Sequence, residues 1–562
     1  MKKVLCMTAL TGLFACFGAA AQSQPKLVLQ ITVDALRGDL EQRFRHNMGE
    51  GGFNYLLDKG IYYDNAHYQH ANTETIVGHV SLATGAPPKV HGMVGNVWFD
   101  RAENRAVYNI EDERYHLLTS GADVDKSAEI DSTQKVAKGD GRSPLPMLSS
   151  TFSDELALAY NGQSKVFAVS VKDRGAVSLA GQYGKAFWFS KSAGEFVSSD
   201  YYYQQYPGWV DAFNQSKPLQ GYHEKSWQLS LDQSKYLFKD EKGTDGKTEL
   251  AGFGTRFPHA YGPTTDKYFT TKLTLSPAGD ELTLAFTQAL IAEEQLGQDA
   301  IPDYLAVSFS SNDYVIHMFG PSSLEAEDNL LRLDRSIAQL LKTVDEKVGL
   351  EHTLIVLSAD HGAPDTPSYL QAMGDQKAEY FNFQLLDAKV LSDLLSKALN
   401  QKGKWVEQYA QPYIYLDHDL VKQHKLDLAK VQQVLADRLS QVPNIQYAVP
   451  TSRIVDGQLA NTRVMNLVAN NYHPQRSGDV HLIFSPNVYI NDLDGLKVAS
   501  VHGSPWRYDT YVPVVFAGMK LAPERVNRAV TPYDIAPTLA HYLKIAPPNG
   551  ATGSVLEEVV ER

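Results

Sequence analysis

Four short apolar runs along the chain each end in a polar or charged residue: Leu27 to Val33 before Asp34, Val166 to Val171 before Lys172, Tyr304 to Phe309 before Asp313, and Leu354 to Leu357 before Asp360. Runs that are apolar throughout, rather than alternating, predict strands buried on both faces, as in a parallel sheet covered by helices. Open sheets of this kind place ligands at the C-terminal ends of their strands, so the terminating residues are the first candidates for a site. Between the runs the period changes. Leu330, Leu333, Ile337, Leu341, Val344 and Val348 recur at helical spacing, with Ser322 and Glu325 in the pattern of a capping box. Thr531-Pro532 opens a last helix carrying Ile535, Leu539, Tyr542 and Leu543, its proline in the first turn where proline is tolerated. The pattern predicts an α/β fold with a central, mostly parallel sheet flanked by helices.

Two regions interrupt the alternation. Residues 190 to about 275 are rich in Tyr, Trp, Gly and Lys without a clean period, and residues 365 to about 478 mix a helix over Asp427 to Val442 with strands and loops. Both are expected to be inserted cap segments on one catalytic domain spanning residues 22–562, a length suited to a large domain with insertions. In the first, Tyr201, Tyr202, Tyr203, Tyr206 and Trp209 either shape a leaving-group pocket or pack the insertion, and packing is the commoner use.

The N-terminus changes the picture of where the protein works. Met1-Lys2-Lys3, the apolar stretch Val4 to Phe17 and the small residues before Gln22 predict a signal peptide over residues 1–21, cleaved after Ala21, and hence a periplasmic or secreted protein. As a membrane anchor the run is short and contains Thr8, Thr11 and Gly12. As a lipidation signal ending at Cys16 it carries Phe14, a poor fit. Cys6 and Cys16 are the only cysteines and both lie in the leader, so the exported chain would have no disulfide, no thiolate ligand and no cysteine nucleophile. A hydrophobic content of 43% and a charged content of 21% suit a soluble enzyme. The formal net charge of -13, more negative still without Lys2 and Lys3, argues against nucleic acid or an anionic membrane as partner. A monomer without stable membrane association is expected, and an anionic substrate would need a local positive site.

Candidate chemistry gathers at the strand ends. Asp34 closes the first run, although an Asp there is more often a turn former or helix cap. Asp313 and His317 are four apart, so in a helical turn they share a face. Carboxylate with imidazole suits zinc better than calcium or magnesium, but a local hydrogen bond would explain the pair equally well. In Asp360-His361-Gly362 the glycine is expected to permit a tight turn that lets both side chains share one ion, and His502-Gly503 precedes a strand centred on Val514. Each signal is weak alone. Three Asp and three His beside strand ends are enough for two three-ligand sites with open positions. Thr75 stands ahead of a short helix expected to end at Gly85. Alone it reads as an N-cap; with a zinc ion at its oxygen it would be a nucleophile near neutral pH, at a helix N-terminus that favours phosphate. Lys172 and Arg174 alternate at a strand end and are expected to point the same way, offering an ammonium and a guanidinium fork to a phosphoryl dianion. Solvated surface charge is the alternative for that pair, and Asn96 after Gly95 would ordinarily be a turn residue.

Together these motifs resemble the alkaline phosphatase superfamily, and within it the bacterial PafA-type alkaline phosphatases, a threonine-nucleophile branch related to nucleotide pyrophosphatase/phosphodiesterases. The matching segments are Val33-Asp34, Thr73 through Gly85, Val90-His91-Gly92 with Asn96 downstream, Val171 through Gly175, Asp313 through Gly320, Asp360-His361-Gly362, His502-Gly503 and Asp534 through Thr538, in the expected order over nearly the whole chain. The resemblance implies two Zn2+, one held by Asp313, His317 and His502, the other by Asp34, Asp360, His361 and the Thr75 oxygen. It also implies that Asn96, Lys172 and Arg174 bind the phosphoryl oxygens, Lys172 standing where other alkaline phosphatases place a third metal. Such a Lys and Arg pair is associated with monoesterases, whereas diesterases usually lack it. The expected activity is hydrolysis of small-molecule phosphate monoesters through a phosphothreonine intermediate. A phosphodiesterase or nucleotide pyrophosphatase on the same two metals is the alternative. A sulfatase is disfavoured by the missing cysteine, and a zinc-stabilised binding protein by the intact nucleophile and ligand set. Ile316 stands where similar sequences often have glycine, which puts only the local turn in question.

Overall fold

The computed structural model describes residues 24–560, so the leader expected over residues 1–21 lies outside the described residues. All four apolar runs are strands of one sheet. Its members, in chain order, are β1 (Leu27–Val33), β2 (Ile61–His67), β3 (Val166–Ser170), β4 (Lys185–Ser190), β5 (Glu195–Val197), β6 (Asp303–Phe309), β7 (Thr353–Ser358), β8 (Tyr511–Gly518) and β9 (Glu524–Val526). They are arranged β9-β2-β8-β7-β1-β6-β3-β4-β5. Every residue of β1, β3, β6 and β7 is buried, which is why these runs do not alternate. Replacing one of their central side chains, such as Ile31, by alanine would cost about 2–5 kcal/mol.

Strand direction places the site. β1 pairs in parallel with β6 and β7, β6 with β3, β3 with β4, and β2 with β9. Only β8 and β5 are reversed, β8 running antiparallel to both β7 and β2, and β5 antiparallel to β4. The C-terminal ends of β1, β2, β3, β6 and β7 therefore share one rim, and the reversed β8 begins at that same rim.

The helices that concern the site are α1 (Thr75–Thr84), α2 (Asp173–Ala180), α3 (Pro277–Glu293), α4 (Ser311–Phe319), α5 (Leu324–Lys347) and α6 (Ile535–Leu543). The expected cap of α5 moves by one residue: the Ser323 hydroxyl, not Ser322, accepts from the Ala326 amide at 3.1 Å. With Ser323 as the cap, Ala326 and not Glu325 takes the position from which a side chain could reach back, and the Glu325 carboxylate lies 2.8 Å from Lys247 instead. Thr531 and Asp534 form a capping box around a 3-10 turn that feeds α6, and a short helix, Glu557–Val560, follows it.

The interrupting regions differ in kind. Residues from 190 onward give β5 to the main sheet and bury Trp227, Phe253 and Phe269 in the main core. The later region builds a second, antiparallel sheet in the order Val406–Ala410, Tyr413–Leu416, Val480–Phe484, Ile445–Pro450. It has its own apolar core, including Leu395, Trp405 and Leu435, and the expected helix there is Leu428–Leu439 with Asp427 as its cap. Buried Asp479 accepts from Leu416 N, Gln432 Nε2 and Arg101 Nη2 at 2.8, 2.8 and 2.7 Å, tying this sheet to the chain before it.

Candidate active site

Each candidate side chain reaches the shared rim for a local reason. Asp34 follows β1 and its amide donates to Phe309 O at 3.0 Å, prolonging the pairing with β6 by one step. The next residue, Ala35, sits at φ 60°, a region that costs a non-glycine residue of order 1–3 kcal/mol. Its amide is held there by Asp360 Oδ1 at 3.1 Å, so the strained turn and the second carboxylate fix each other. Ile316 causes no disturbance: α4 is continuous through it, and its side chain packs on Ala35 and Ala363. Gly78 in α1 is required by close approach, since a Cβ there would lie 1.9 Å from Asp360 O. Gly362 has a similar reason rather than the expected turn, since its Cβ would meet Tyr508 O at 2.1 Å.

Six of the candidates form two donor groups, Asp34 with Asp360 and His361, and Asp313 with His317 and His502, each with one ligand atom per residue within 4.8 Å of the others. His361 Nε2 is 3.4 Å from Asp34 and 3.3 Å from Asp360, while the Nε2 atoms of His317 and His502 are 3.3 and 3.4 Å from Asp313. The groups adjoin, because the His361 and His502 rings stack at 3.5 Å. All three imidazoles have Nδ1 on a backbone carbonyl, His317 on Ser500, His361 on Gly362 and His502 on Thr73, at 2.7, 2.8 and 2.7 Å. A carbonyl only accepts, so Nδ1 carries the proton and Nε2 presents its lone pair inward, the arrangement a metal-binding histidine needs.

The residues fit metal ions on a second, independent ground. Both Asp34 oxygens, Asp313 Oδ1, Asp360 Oδ2, His361 Nε2 and Thr75 Oγ1 are buried without a directed hydrogen bond. Buried polar atoms are normally satisfied, and six orphans converging on one place call for a cation. Burial opposes a charge on His502, but the adjoining Asp313 carboxylate raises its pKa to about 9, whereas burial lowers His361 to about 3. A cation between Nε2 and carboxylate would take the place of the His502 proton.

Thr75 is the first residue of α1 and Glu74 is the cap, so Thr75 does not serve as the N-cap and its hydroxyl remains free. Lys172 and Arg174 converge for a reason other than strand alternation. β3 stops at Ser170, Lys172 caps α2, and Arg174 lies in the first turn of α2. Lys172 Nζ lies between the donor groups, 2.7 Å from Asp34 and 2.5 Å from Asp313, though its approach to Asp34 lacks the angle of a hydrogen bond. Burial works against its charge, but Asp313 and Asp34 prevail and raise its pKa. Asn96 Oδ1 accepts from the Ile76 amide at 3.1 Å, which leaves its NH2 for a ligand.

Three residues at the site escaped the sequence reading. His79, one turn beyond Thr75 on α1, places Nδ1 2.9 Å from Thr75 O and 3.1 Å from Asp360 Oδ2, with Nε2 2.8 Å from Ser308 Oγ. The four-residue spacing from Thr75 was its available signal. Asp131 holds Arg174 Nη1 at 2.8 Å from an irregular loop with no periodicity to mark it. Glu74 Oε2 accepts from the Asn96 amide at 2.7 Å and so fixes that residue.

Thr75, Asn96, Arg174, Asp313, His317 and His502 open onto a cavity of about 880 Å3. The aromatic cluster does not line it. Tyr203 and Trp209 pack on Phe187 at 5.4 and 5.8 Å, and Trp209 Nε1 donates to Glu294 at 2.7 Å, so the cluster packs the core.

Comparison with known proteins places these features in a wider set. A model of the family described as type I phosphodiesterase / nucleotide pyrophosphatase matches residues 28–507. Alkaline phosphatase PafA of Elizabethkingia meningoseptica is 32% identical over 574 residues, covering 100% of this chain and 99% of that protein. Alkaline phosphatase PhoV of Synechococcus elongatus is 32% identical over 543 residues, covering 96% and 94%. A crystal structure of PafA superposes with a TM-score of 0.82 at 30% identity, covering 96% of this chain and 99% of that one.

Proposed function

Because the chain belongs to the type I phosphodiesterase / nucleotide pyrophosphatase family, in its branch of PafA-type alkaline phosphatases, we propose that it is a phosphatase that hydrolyses phosphate monoesters at two zinc ions. The observation that carries this reading is the free, buried Thr75 hydroxyl beside two adjoining donor groups, with Lys172 and Arg174 adding positive charge at the same end. Asp34, Asp360, His361 and the Thr75 oxygen would hold one ion, and Asp313, His317 and His502 the other. Zinc there would supply Lewis acidity to the attacking and leaving oxygens.

In the first step Thr75 Oγ1 gives up its proton to solvent and forms a bond to phosphorus as the bond to the ester oxygen breaks, and the leaving oxygen departs with a proton from solvent. Water then attacks the phosphothreonine, freeing phosphate and restoring the hydroxyl. Arg174 presents its fork and Asn96 its NH2 to the non-bridging oxygens, while Lys172 offsets the charge of Asp34 and Asp313. A monoester brings a dianion to these cations. A diester brings one negative charge less and would have to bury a second ester group.

Thr75→Ala is the decisive variant. Turnover of a monoester should fall more than about a thousandfold with zinc content retained; retention of most activity would sink the nucleophile assignment. The diesterase reading is favoured by the family description and by the breadth of the cavity. Rates on a matched monoester and diester separate the two. Export is part of the same proposal, and no helix among the described residues is long and apolar enough to cross a membrane.

A further inference from the structure

His79 lies fully buried among the groups that would do the chemistry, yet neither donor group includes it. It sits one turn along α1 from Thr75. Its Nδ1 is 2.9 Å from Thr75 O and 3.1 Å from Asp360 Oδ2, the second approach lacking the angle of a hydrogen bond. A backbone carbonyl only accepts, so Nδ1 carries a proton and presents it to the nucleophile's turn and to an inner donor at once. The backbone presses the same turn onto that donor, since a Cβ on Gly78 would lie 1.9 Å from Asp360 O. Nε2 leads the other way. It meets Ser308 Oγ at 2.8 Å, Ser308 meets Ser310 at 3.1 Å, Ser310 meets Ser170 at 3.1 Å, and Ser170 Oγ accepts from the Lys172 amide at 3.0 Å. Ser170 ends β3, Ser308 lies in β6 and Ser310 follows it, all three fully buried. A buried hydroxyl is costly without a partner, and an apolar side chain at any of these places would need none, so the serines make sense as links. The chain runs from a backbone amide to a backbone carbonyl, groups that do not titrate near neutral pH, which suits a brace rather than a proton wire.

We propose that His79 is a positioning residue: it fixes the Thr75 turn against Asp360, strengthens the hold of the inner donor group on its ion, and through the serine chain keeps Lys172 in register with both. This rests on the phosphatase reading of the site. Both ring nitrogens are engaged, so His79 has no lone pair to offer a metal or a substrate and acts only through the groups it holds.

The test measures zinc bound per chain over a series of buffered free zinc concentrations, with kcat on a monoester beside it, for the wild type, His79→Ala, His79→Asn, His79→Gln and Ser308→Ala. His79→Ala should bind one ion about tenfold to a hundredfold more weakly than the wild type and the other unchanged, with a matching loss of kcat at limiting zinc. An asparagine amide can stand where Nδ1 stands, so His79→Asn should recover the zinc affinity. His79→Gln keeps the bulk and the reach to Ser308 but moves the donor away from Asp360; it should show the weakening even if the alanine variant does not fold. Ser308→Ala should keep both ions and lower kcat about twofold to tenfold, the worth of one hydrogen bond. Wild-type zinc affinity in His79→Ala or His79→Gln, equal weakening of both ions, or no recovery in His79→Asn would overturn the inference while leaving the phosphatase standing. A wild-type chain that binds no zinc or hydrolyses no monoester would overturn both.

Discussion

The two donor groups hold the same kinds of ligand in different surroundings. Asp34, Asp360 and His361 are each fully buried and do not line the cavity, whereas Asp313, His317 and His502 open onto it, with 14% of the His317 side chain exposed. The inner group is also the more entangled, since Asp360 receives the Ala35 and His361 amides at 3.1 and 3.0 Å and lies 3.1 Å from His79. One group is part of the core and the other is part of the cavity wall. Similar ligand sets can thus be built for permanence and for access within a few ångströms of each other.

The sharpest test of that contrast is a pair of ligand deletions. Asp360→Ala should cost about 3–5 kcal/mol of stability as well as all measurable turnover, because it strands buried partners. His317→Ala should lose at least about a hundredfold in turnover with little change in the unfolding midpoint. Equal destabilisation by the two, read from denaturant unfolding, would remove the distinction. Next in size, a chelator should extract metal in two phases, the first from the outer group. A single phase in the time course of metal release would show that burial does not govern exchange. Smaller again, Asp131→Asn should lower kcat/KM for a monoester about tenfold by loosening Arg174, while leaving metal content unchanged. Loss of metal in that variant would place Asp131 among the supports of the donor groups instead.

Legibility in the sequence followed the same division. The inner strands β1, β3, β6 and β7 could be read because burial on both faces leaves no polar alternation to misplace. The six donors could be found because each adjoins such a strand end or, for His502, the start of β8. The reversal of β8 that brings His502 to the rim had no mark in the local pattern. Lys172 and Arg174 were found on a mistaken geometric ground, since the strand gives way to a helix between Ser170 and Asp173. Asp131 and Glu74 act through contacts with Arg174 and Asn96, and contacts between distant segments leave no periodicity to read.

The reversed strand also has a consequence in time. During synthesis the inner group is complete in the chain once residue 361 has been added, but the outer group must wait for residue 502, which arrives just ahead of the strand that carries it back to the rim. A chain cut before residue 502 therefore carries all three members of the inner group and only two of the outer. The order of residues thus completes the inner set well before the outer one.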